Sequence, residues 1–285
     1  MQYFSADFIF DGYKFLDADW VIVMDDNFVV QDILPKTAQM PIQYFPGLLM
    51  PGMINAHCHI ELSHLKALIP EHTGLVDFIL QIQQRRHEIS DDEKLQAMCA
   101  AEHEMKSQGI VAVGDISNSL DSLPVKKIKN LHYHTFVESV GLHDDQAAER
   151  FEKSCRIKKA FDVDHSSSIV MHAPYSVGPA LKHLIVESEK NKITSIHNQE
   201  CEAENEWFMQ GTGNFNQLFS LFSTVKPISL KPTATSSLHA YFEDLLEAKK
   251  IILVHNTCTS REDIEWTQQL SNSVFWCLCP NANLY

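Results

Sequence analysis

The residues best suited to chemistry are histidines that come at the ends of short apolar runs. His57 and His59 close MINAHCH, His197 follows KITSI and His255 follows KIILV. Side chains two apart in a strand point to the same face, so His57 and His59 project together. Catalytic zinc sites usually combine three protein ligands with a water. We therefore expect His57, His59 and His197 to bind one divalent metal, zinc or alternatively iron. The alternative for each histidine alone is a core or surface residue.

Two further residues are placed to act on a water at such a metal. Glu200 lies three positions after His197, just past the strand end. A carboxylate there can take a proton from the water and deliver it to a leaving nitrogen. The alternative is a solvated loop acid, since Glu202, Glu204 and Glu206 follow closely. His255 is expected to be a fourth ligand or to orient the water, and a buried histidine bonded to a backbone carbonyl is its alternative.

Three residues are candidates for contact with a small-molecule substrate. His172 follows the run SIVM and is interpreted either as a hydrogen-bond donor to substrate or as a structural residue. Glu61 comes directly after the His57–His59 strand. Glu138 lies near the end of another apolar run, HYHTFVESVG, and is expected to face the substrate.

Five other residues have a structural interpretation beside the functional one. Asp115 ends a strand and either lines the pocket or forms a turn. Tyr175 and Trp207 either stack on a planar ring or pack in the core. Cys277 and Cys279 share one face of a strand, and buried apolar cysteines are commoner than metal-binding ones.

The elements that must position these residues alternate along the chain from residue 51. Strand–helix alternation predicts parallel βαβ units, and parallel strands are buried on both faces. The predicted helices include residues 75–89, 92–108 and 261–270. Seven units favour a TIM-type (β/α) barrel, which carries its active site at the carboxyl ends of the strands. The predicted strands are MINAHCH, GIVAVGDIS, HYHTFVESVG, SIVMHAPYS, KITSIHNQE, KIILVHNT and SVFWCLCPN.

The first fifty residues have a different pattern. Short aromatic and β-branched runs are separated there by Asp-Gly, Asp-Asn and Pro, which indicates strands without helices. The runs are YFSADFIF, DADWVIVMDD, FVVQDILP and IQYFPGLLM. We expect residues 1–50 to form part of a small β-sandwich-like domain and residues 51–285 to form the barrel.

Composition limits the partners and the compartment. The formal net charge is −14, which disfavours nucleic acid and anionic membranes as partners. The number of cysteines, seven, is odd, and no Cys-x-x-Cys occurs, which indicates reduced thiols. The N-terminus is not typical of a signal peptide, and no apolar run is long enough to span a membrane. We expect a cytoplasmic protein, with a homodimer as one possibility.

The same histidines carry a resemblance to a known family. Residues 51–59, PGMINAHCH, resemble the first-strand signature of the amidohydrolase superfamily, and His197-x-x-Glu200 resembles the fifth-strand motif of its mononuclear deaminase and chlorohydrolase branch. His255 matches the histidine of strand six. Residues 60–66, IELSHLK, are similar to aminodeoxyfutalosine deaminase-like members, and the branch also contains guanine and adenosylhomocysteine deaminases.

This resemblance implies roles for the site residues. His57, His59 and His197 would be the metal ligands, Glu200 the proton shuttle and His255 the residue that holds the water. The reaction would be attack of hydroxide on an amidine carbon of a purine-like molecule, followed by loss of ammonia. The fourth strand contains no lysine, which favours one metal over two. Hydrolysis of another carbon–nitrogen bond, or of a carbon–halogen bond, is the alternative.

The sequence departs from this pattern at its end. The family has an aspartate at the end of strand eight, but only seven strands are found, and PNANLY is interpreted as a loop. Beyond residue 260 the only aspartate is Asp263, within a predicted helix. We therefore expect a fragment or a truncated product of a longer protein. A metal-binding protein without catalysis is the third hypothesis.

Overall fold

The chain forms two compact units, which are residues Met1–Met53 and Ile54–Tyr285. The structure is a computed structural model, and it describes residues 1–86, 88–216, 219 and 235–284. The boundary expected from the sequence, between residues 50 and 51, stays a prediction.

The first unit is one five-stranded sheet. β1 lies in its interior, pairs antiparallel with β2 and β3, and pairs in parallel with β5, while β4 extends the sheet beyond β3. Each of the four runs predicted to be extended contains a strand, and only the short β2 was not predicted. The sandwich-like character stays a prediction. The strands are β1 Gln2–Phe10, β2 Phe15–Leu16, β3 Trp20–Met24, β4 Val30–Pro35 and β5 Ile42–Leu49.

The second unit contains two sheets, both with parallel strands. The first has the order β6-β7-β8-β9, and the second has the order β10-β11-β12. Parallel pairing runs from β7 to β9 and from β10 to β12. The seven predicted strands are confirmed as β6 Met53–Cys58, β7 Ile110–Ser117, β8 His132–Ser139, β9 Ser166–Met171, β10 Ile193–Asn198, β11 Lys250–His255 and β12 Val274–Cys277.

Helices separate most of these strands, as the alternation predicts. Helices are present at all three predicted places, but the first ends at Arg85 and not at residue 89, and residue 87 lies outside the described residues. Two of them begin with a capping box, in which Ser90 exchanges hydrogen bonds with Glu93, and Ser260 with Asp263. The helices are α1 Leu75–Arg85, α2 Asp91–Ser107, α3 Leu123–Lys127, α4 Ala147–Phe161, α5 Pro179–Ser188, α6 Glu202–Gln210 and α7 Arg261–Leu270.

Five short 3-10 segments complete the described elements. At residues 280–284 the structure has a 3-10 segment where the sequence predicted a loop, and Tyr285 lies outside the described residues. None of the helices in the part of the chain that the structure describes is long and apolar enough to cross a membrane. The 3-10 segments are Ile60–Leu65, Asp144–Gln146, Leu238–Ala240, Phe242–Leu245 and Pro280–Leu284.

The core lies between the sheets and their helices. Val137 of β8, Ile169 of β9 and Ile196 of β10 are almost fully buried, and Phe161 and Leu181 of the covering helices belong to the same cluster. Burial of such side chains is the main favourable contribution to folding. The burial of this cluster holds in place the strands whose carboxyl ends carry the polar residues.

A glycine allows β6 and β7 to approach closely. A Cβ atom at Gly114 would lie 2.6 Å from the backbone oxygen of Ala56 and 3.0 Å from the ring of Phe136. Ala56 directly precedes His57. The absence of a side chain at Gly114 therefore allows the strand that carries His57 to pack close to β7.

Candidate metal centre and active site

Three histidine side chains converge at the carboxyl ends of β6 and β10. The Nε2 atom of His59 lies 3.1 Å from Nε2 of His57 and 3.2 Å from Nε2 of His197. Tetrahedral zinc bonded to nitrogens at about 2.0–2.1 Å requires about 3.3 Å between its ligand atoms. The donors present therefore fit a single divalent metal such as zinc.

The second nitrogen of one ligand candidate is fixed by the backbone. Nδ1 of His197 lies 2.7 Å from the carbonyl oxygen of His172, and it can only donate there. This selects the tautomer in which Nε2 has a free electron pair for a metal, which is the usual orienting partner of a metal-binding histidine.

Burial keeps these imidazoles in the form that a metal binds. It lowers the pKa of His59 to about 4 and that of His197 to about 3, with the neighbouring histidines contributing. The pKa of His57 is also well below its ordinary value, for the same reasons. Neutral imidazole is the metal-binding form, so no proton has to leave at neutral pH.

His255 lies against this group from β11. Its ring stacks on that of His197 with centroids 5.3 Å apart, and its Nε2 lies 3.5 Å from Oε1 of Glu200. Ligand nitrogens of His57, His197 and His255 also lie within 4.8 Å of one another. The two interpretations of His255, as a fourth ligand or as a partner of the water and Glu200, therefore both stay predictions.

Glu200 is a partly buried carboxyl at the edge of the histidine group, with its side chain 18% exposed. Burial, followed by the charge of Glu204 and the thiol of Cys279, raises its pKa to about 8. A group whose pKa lies near the working pH can accept and return a proton with little cost.

Glu204 is a residue whose importance the sequence did not reveal. The sequence places it, with Glu202 and Glu206, among the acids of an acidic loop, but it lies on α6 and is fully buried. Its carboxylate accepts hydrogen bonds from the backbone N–H groups of Gln199, at 3.0 Å, and Glu200, at 3.2 Å, and from the hydroxyl of Ser237, at 2.7 Å. Glu204 therefore fixes the backbone that carries Glu200. The available signal was its spacing of four residues from Glu200 at a helix start.

The backbone around these strand ends is strained. Gln199, His255 and Asn256 have φ values of 45°, 75° and 59°, which lie in a backbone region that residues other than glycine seldom adopt. Such conformations persist where the surroundings hold them, and they cluster at functional sites. The side chain of Gln199 donates to Asp263 at 3.0 Å, which is one of the bonds that hold it.

Glu138 and His172 form a second polar group beside His197. Oε2 of Glu138 accepts a hydrogen bond from Asn118 at 2.8 Å. Oε1 of Glu138 is buried and has no hydrogen-bond partner among the described residues; it lies 3.7 Å from Nδ1 of His197 and 4.0 Å from Nε2 of His172. The substrate-binding role of both residues stays a prediction.

The carboxylate of Glu61 accepts hydrogen bonds from other residues of the protein. Oε2 accepts from the backbone N–H of Asn118 at 3.0 Å, and Oε1 accepts from the hydroxyl of Ser119 at 3.1 Å. Burial raises its pKa to about 7. The structure thus shows Glu61 joining the chain after β6 to the loop after β7, while substrate contact by Glu61 stays a prediction.

Two of the alternatives weighed from the sequence are decided by packing. Tyr175 and Trp207 are buried together with Phe208, Phe215 and Phe219, so they are core residues. The expectation that Asp115 lines the pocket or forms a turn is wrong, because Asp115 lies within β7 and is fully buried in an ion pair.

Cys277 and Cys279 lie beside the other edge of the histidine strand. With residues 54–57 they line a cavity of about 390 Å³. A hydrogen bond from the Cys279 thiol lowers the pKa of Cys277 to about 7. The structural interpretation, two buried core cysteines, is therefore only partly right, since both residues are partly exposed and line a cavity.

The amidohydrolase family pattern matches residues 48–285, which is most of the chain. The chain belongs to the amidohydrolase family. The resemblance noted in the sequence is confirmed. An adenosine deaminase of Helicobacter pylori is 26% identical over 277 residues, which cover 93% of this chain and 66% of that protein. The chain thus spans just under two thirds of the length of this curated relative.

Solved structures share the fold of this amidohydrolase family member. The aminofutalosine deaminase of Helicobacter pylori in complex with methylthio-coformycin has a TM-score of 0.81 at 23% identity, over 99% of this chain and 71% of that one. An adenosine deaminase from Xanthomonas campestris with bound zinc has a TM-score of 0.67 at 18% identity, over 99% and 63% of the two chains. The α/β fold with parallel strands is confirmed by these matches.

Proposed function

We propose that the protein is a metal-dependent hydrolase that removes an amino group from an amidine carbon of a purine-like small molecule. One observation carries this proposal, the convergence of three neutral histidine nitrogens near the partly buried carboxyl of Glu200. Membership of the amidohydrolase family and the similarity to an adenosine deaminase and an aminofutalosine deaminase support it.

The proposed centre holds one divalent metal, zinc in the first place and iron as the alternative, on His57, His59 and His197. When bound, the metal would lower the pKa of a water and polarise the carbon that is attacked. Imidazole ligands suit zinc and iron alike, so the donor set alone does not choose between them.

Glu200 moves the protons in this proposal. Its carboxylate takes a proton from the attacking water and delivers it to the departing amino nitrogen, which leaves as ammonia. A pKa near neutrality serves both steps, because the group must first accept and then donate. His255 lies 3.5 Å from that carboxyl and orients the water toward it.

Glu138 and His172 hold the substrate. The buried Oε1 atom of Glu138 accepts from a substrate N–H group, and Nε2 of His172 reaches the same region. An unpaired buried carboxylate oxygen is costly, and a bound donor removes that cost.

The scaffold and its setting complete the proposal. The strands β6 to β12 form most of a TIM-type (β/α) barrel, which is supported by the parallel pairing and by a site at the carboxyl ends of the strands. A homodimer and a cytoplasmic location stay predictions.

The test is ammonia release by the zinc-loaded protein from a panel of aminopurines, their nucleosides and chlorinated triazines. We expect ammonia from at least one purine, and a fall of about 10²- to 10⁴-fold in kcat for Glu200→Gln. Glu202→Gln is the matched control, because Glu202 is exposed on the same segment, and it should leave kcat unchanged. Chloride release alone would favour the carbon–halogen alternative. Zinc binding without any turnover would favour the non-catalytic hypothesis.

A further inference from the structure

A fully buried ion pair lies under the histidine strand. Nζ of Lys126 is 2.6 Å from Oδ2 of Asp115, and neither side chain is exposed to solvent. Lysine is almost never fully buried unless its charge is paired. The pair contacts no substrate candidate, and the proposed reaction does not use it.

Lys126 is completely satisfied within the protein. Besides Asp115, its ammonium donates to the hydroxyls of Ser117 and Thr135, both at 3.0 Å, so all three of its N–H groups have partners. It also lies 4.5 Å from the centroid of the Phe161 ring. Burying two charges costs about as much as their attraction returns, so stability alone is a weak reason for such a pair.

The other carboxylate oxygen of Asp115 connects the pair to the metal centre. Oδ1 accepts a hydrogen bond of 2.9 Å from the backbone N–H of Ile60, the residue that follows His59. Ile60 begins the 3-10 segment Ile60–Leu65, and the first N–H groups of a helical segment have no partner within it. The bond therefore fixes the direction in which the chain leaves β6.

We propose that Asp115, through the hydrogen bond that it accepts from the N–H of Ile60, is a positioning residue that sets the His59 ring against those of His57 and His197. Lys126 of α3 compensates the buried charge of this carboxylate on β7, and the carboxylate anchors the backbone next to the ligand. This inference rests on the proposed metal centre. Partners that orient metal ligands typically change metal affinity about 10- to 100-fold when they are removed.

Two charge-neutral double variants separate the hydrogen bond from the charge. Asp115→Asn with Lys126→Met removes both charges but keeps an oxygen for the N–H of Ile60. Asp115→Leu with Lys126→Met removes the oxygen as well. In a zinc titration against a chromophoric chelator, we expect the first variant to stay within about threefold of the wild-type Kd and the second to bind about 10- to 100-fold more weakly.

A buried carboxylate elsewhere in the unit controls for general destabilisation. Glu102 is almost fully buried and accepts from Tyr133 at 2.9 Å and Asn130 at 2.8 Å, with no bond to the histidine strand. Glu102→Gln should lower the melting temperature and leave the zinc Kd unchanged. A zinc Kd weakened equally in Glu102→Gln and in the leucine double variant would overturn the inference.

Asp115→Glu decides the matter if the leucine variant does not fold. It keeps the charge pair but moves the acceptor by one methylene, and we expect zinc binding to weaken at least about fivefold. An unchanged zinc Kd in Asp115→Glu, or in the double variant with Asp115→Leu, would overturn the positioning role while leaving the metal centre in place. Absence of zinc binding in the wild type would instead contradict the proposed function itself.

Discussion

The two sides of the proposed centre are built in different ways. On the β6 side, His57 lies within the strand and His59 directly follows its last residue, and the chain beyond them is anchored by Asp115. On β10 and β11, the polar residues lie where the backbone turns into the left-handed region, as at His255 with φ 75°. There the strand ends are held by buried side chains both near in sequence, such as Glu204, and distant, such as Asp263, which accepts a hydrogen bond from Gln199.

The difference shows what each side needs from the rest of the molecule. A regular strand places alternate side chains on one face without further support. His57 and His59 therefore require only that the backbone direction after β6 is fixed. A strained strand end stays in place only while its surroundings outweigh the strain. We therefore expect substitutions around β10 and β11 to cost more stability than equivalent ones around β6.

The largest expected contrast is between two asparagines that flank the histidines. Nδ2 of Asn256 donates to the carbonyl oxygens of Leu253, at 2.8 Å, and Cys277, at 3.1 Å. Asn256→Asp replaces both donors with a charged oxygen, and it should lower the free energy of unfolding by about 3 kcal/mol. The measurement is urea unfolding of the metal-free protein at neutral pH.

The counterpart on β6 is Asn55. Its oxygen accepts from the N–H of His57 at 3.3 Å, and its amide contacts the sulfur of Met105 at 3.6 Å. Asn55→Asp keeps the acceptor, so it should cost less than about 1 kcal/mol. Equal losses in the two variants would mean that the two sides do not differ as described.

A smaller effect is expected in the pH dependence of stability. Burial raises the pKa of Glu204 to about 7 from an ordinary 4.5. A carboxyl whose pKa is raised on folding contributes stability that is fully present below pH about 4.5 and is lost as the pH rises through about 7. Glutamine does not titrate. The free energy of unfolding of the wild type, minus that of Glu204→Gln, should therefore fall by about 2 kcal/mol between about pH 5 and pH 7.5.

Subtraction of the two curves removes the histidine titrations, which both proteins share. Glu202→Gln is the control, because Glu202 is exposed two residues earlier, so this variant loses a carboxyl that is not buried. A difference for Glu204→Gln that does not vary with pH would show that Glu204 is ionised without cost, contrary to the burial described.

Regular features of the site were predictable from the sequence. Apolar runs predicted all seven strands of the second unit, and the alternation in His57-Cys58-His59 predicted two imidazoles on one face. The spacing of Glu200 from His197 placed a carboxyl just past a strand end. Each of these inferences depends on neighbours within a few residues, where backbone geometry alone decides direction.

Features that depend on distant partners were not predictable. Glu204 is one of several similar acids in the sequence, and its burial depends partly on Ser237, which lies far along the chain. Asp115 was interpreted as a pocket or turn residue because nothing near it marks Lys126 as a buried partner. The left-handed backbone at His255 likewise depends on the surroundings and not on residue type.

The most direct test of the account is metal content measured by plasma emission. The wild-type protein and the double variant His57→Ala with His59→Ala would be purified in zinc-containing medium and dialysed, with circular dichroism to confirm that both are folded. We predict about one zinc per wild-type chain, as expected for three converging histidines, and none retained by the variant. A folded wild-type protein without metal, or a variant that retains it, would contradict the proposed centre.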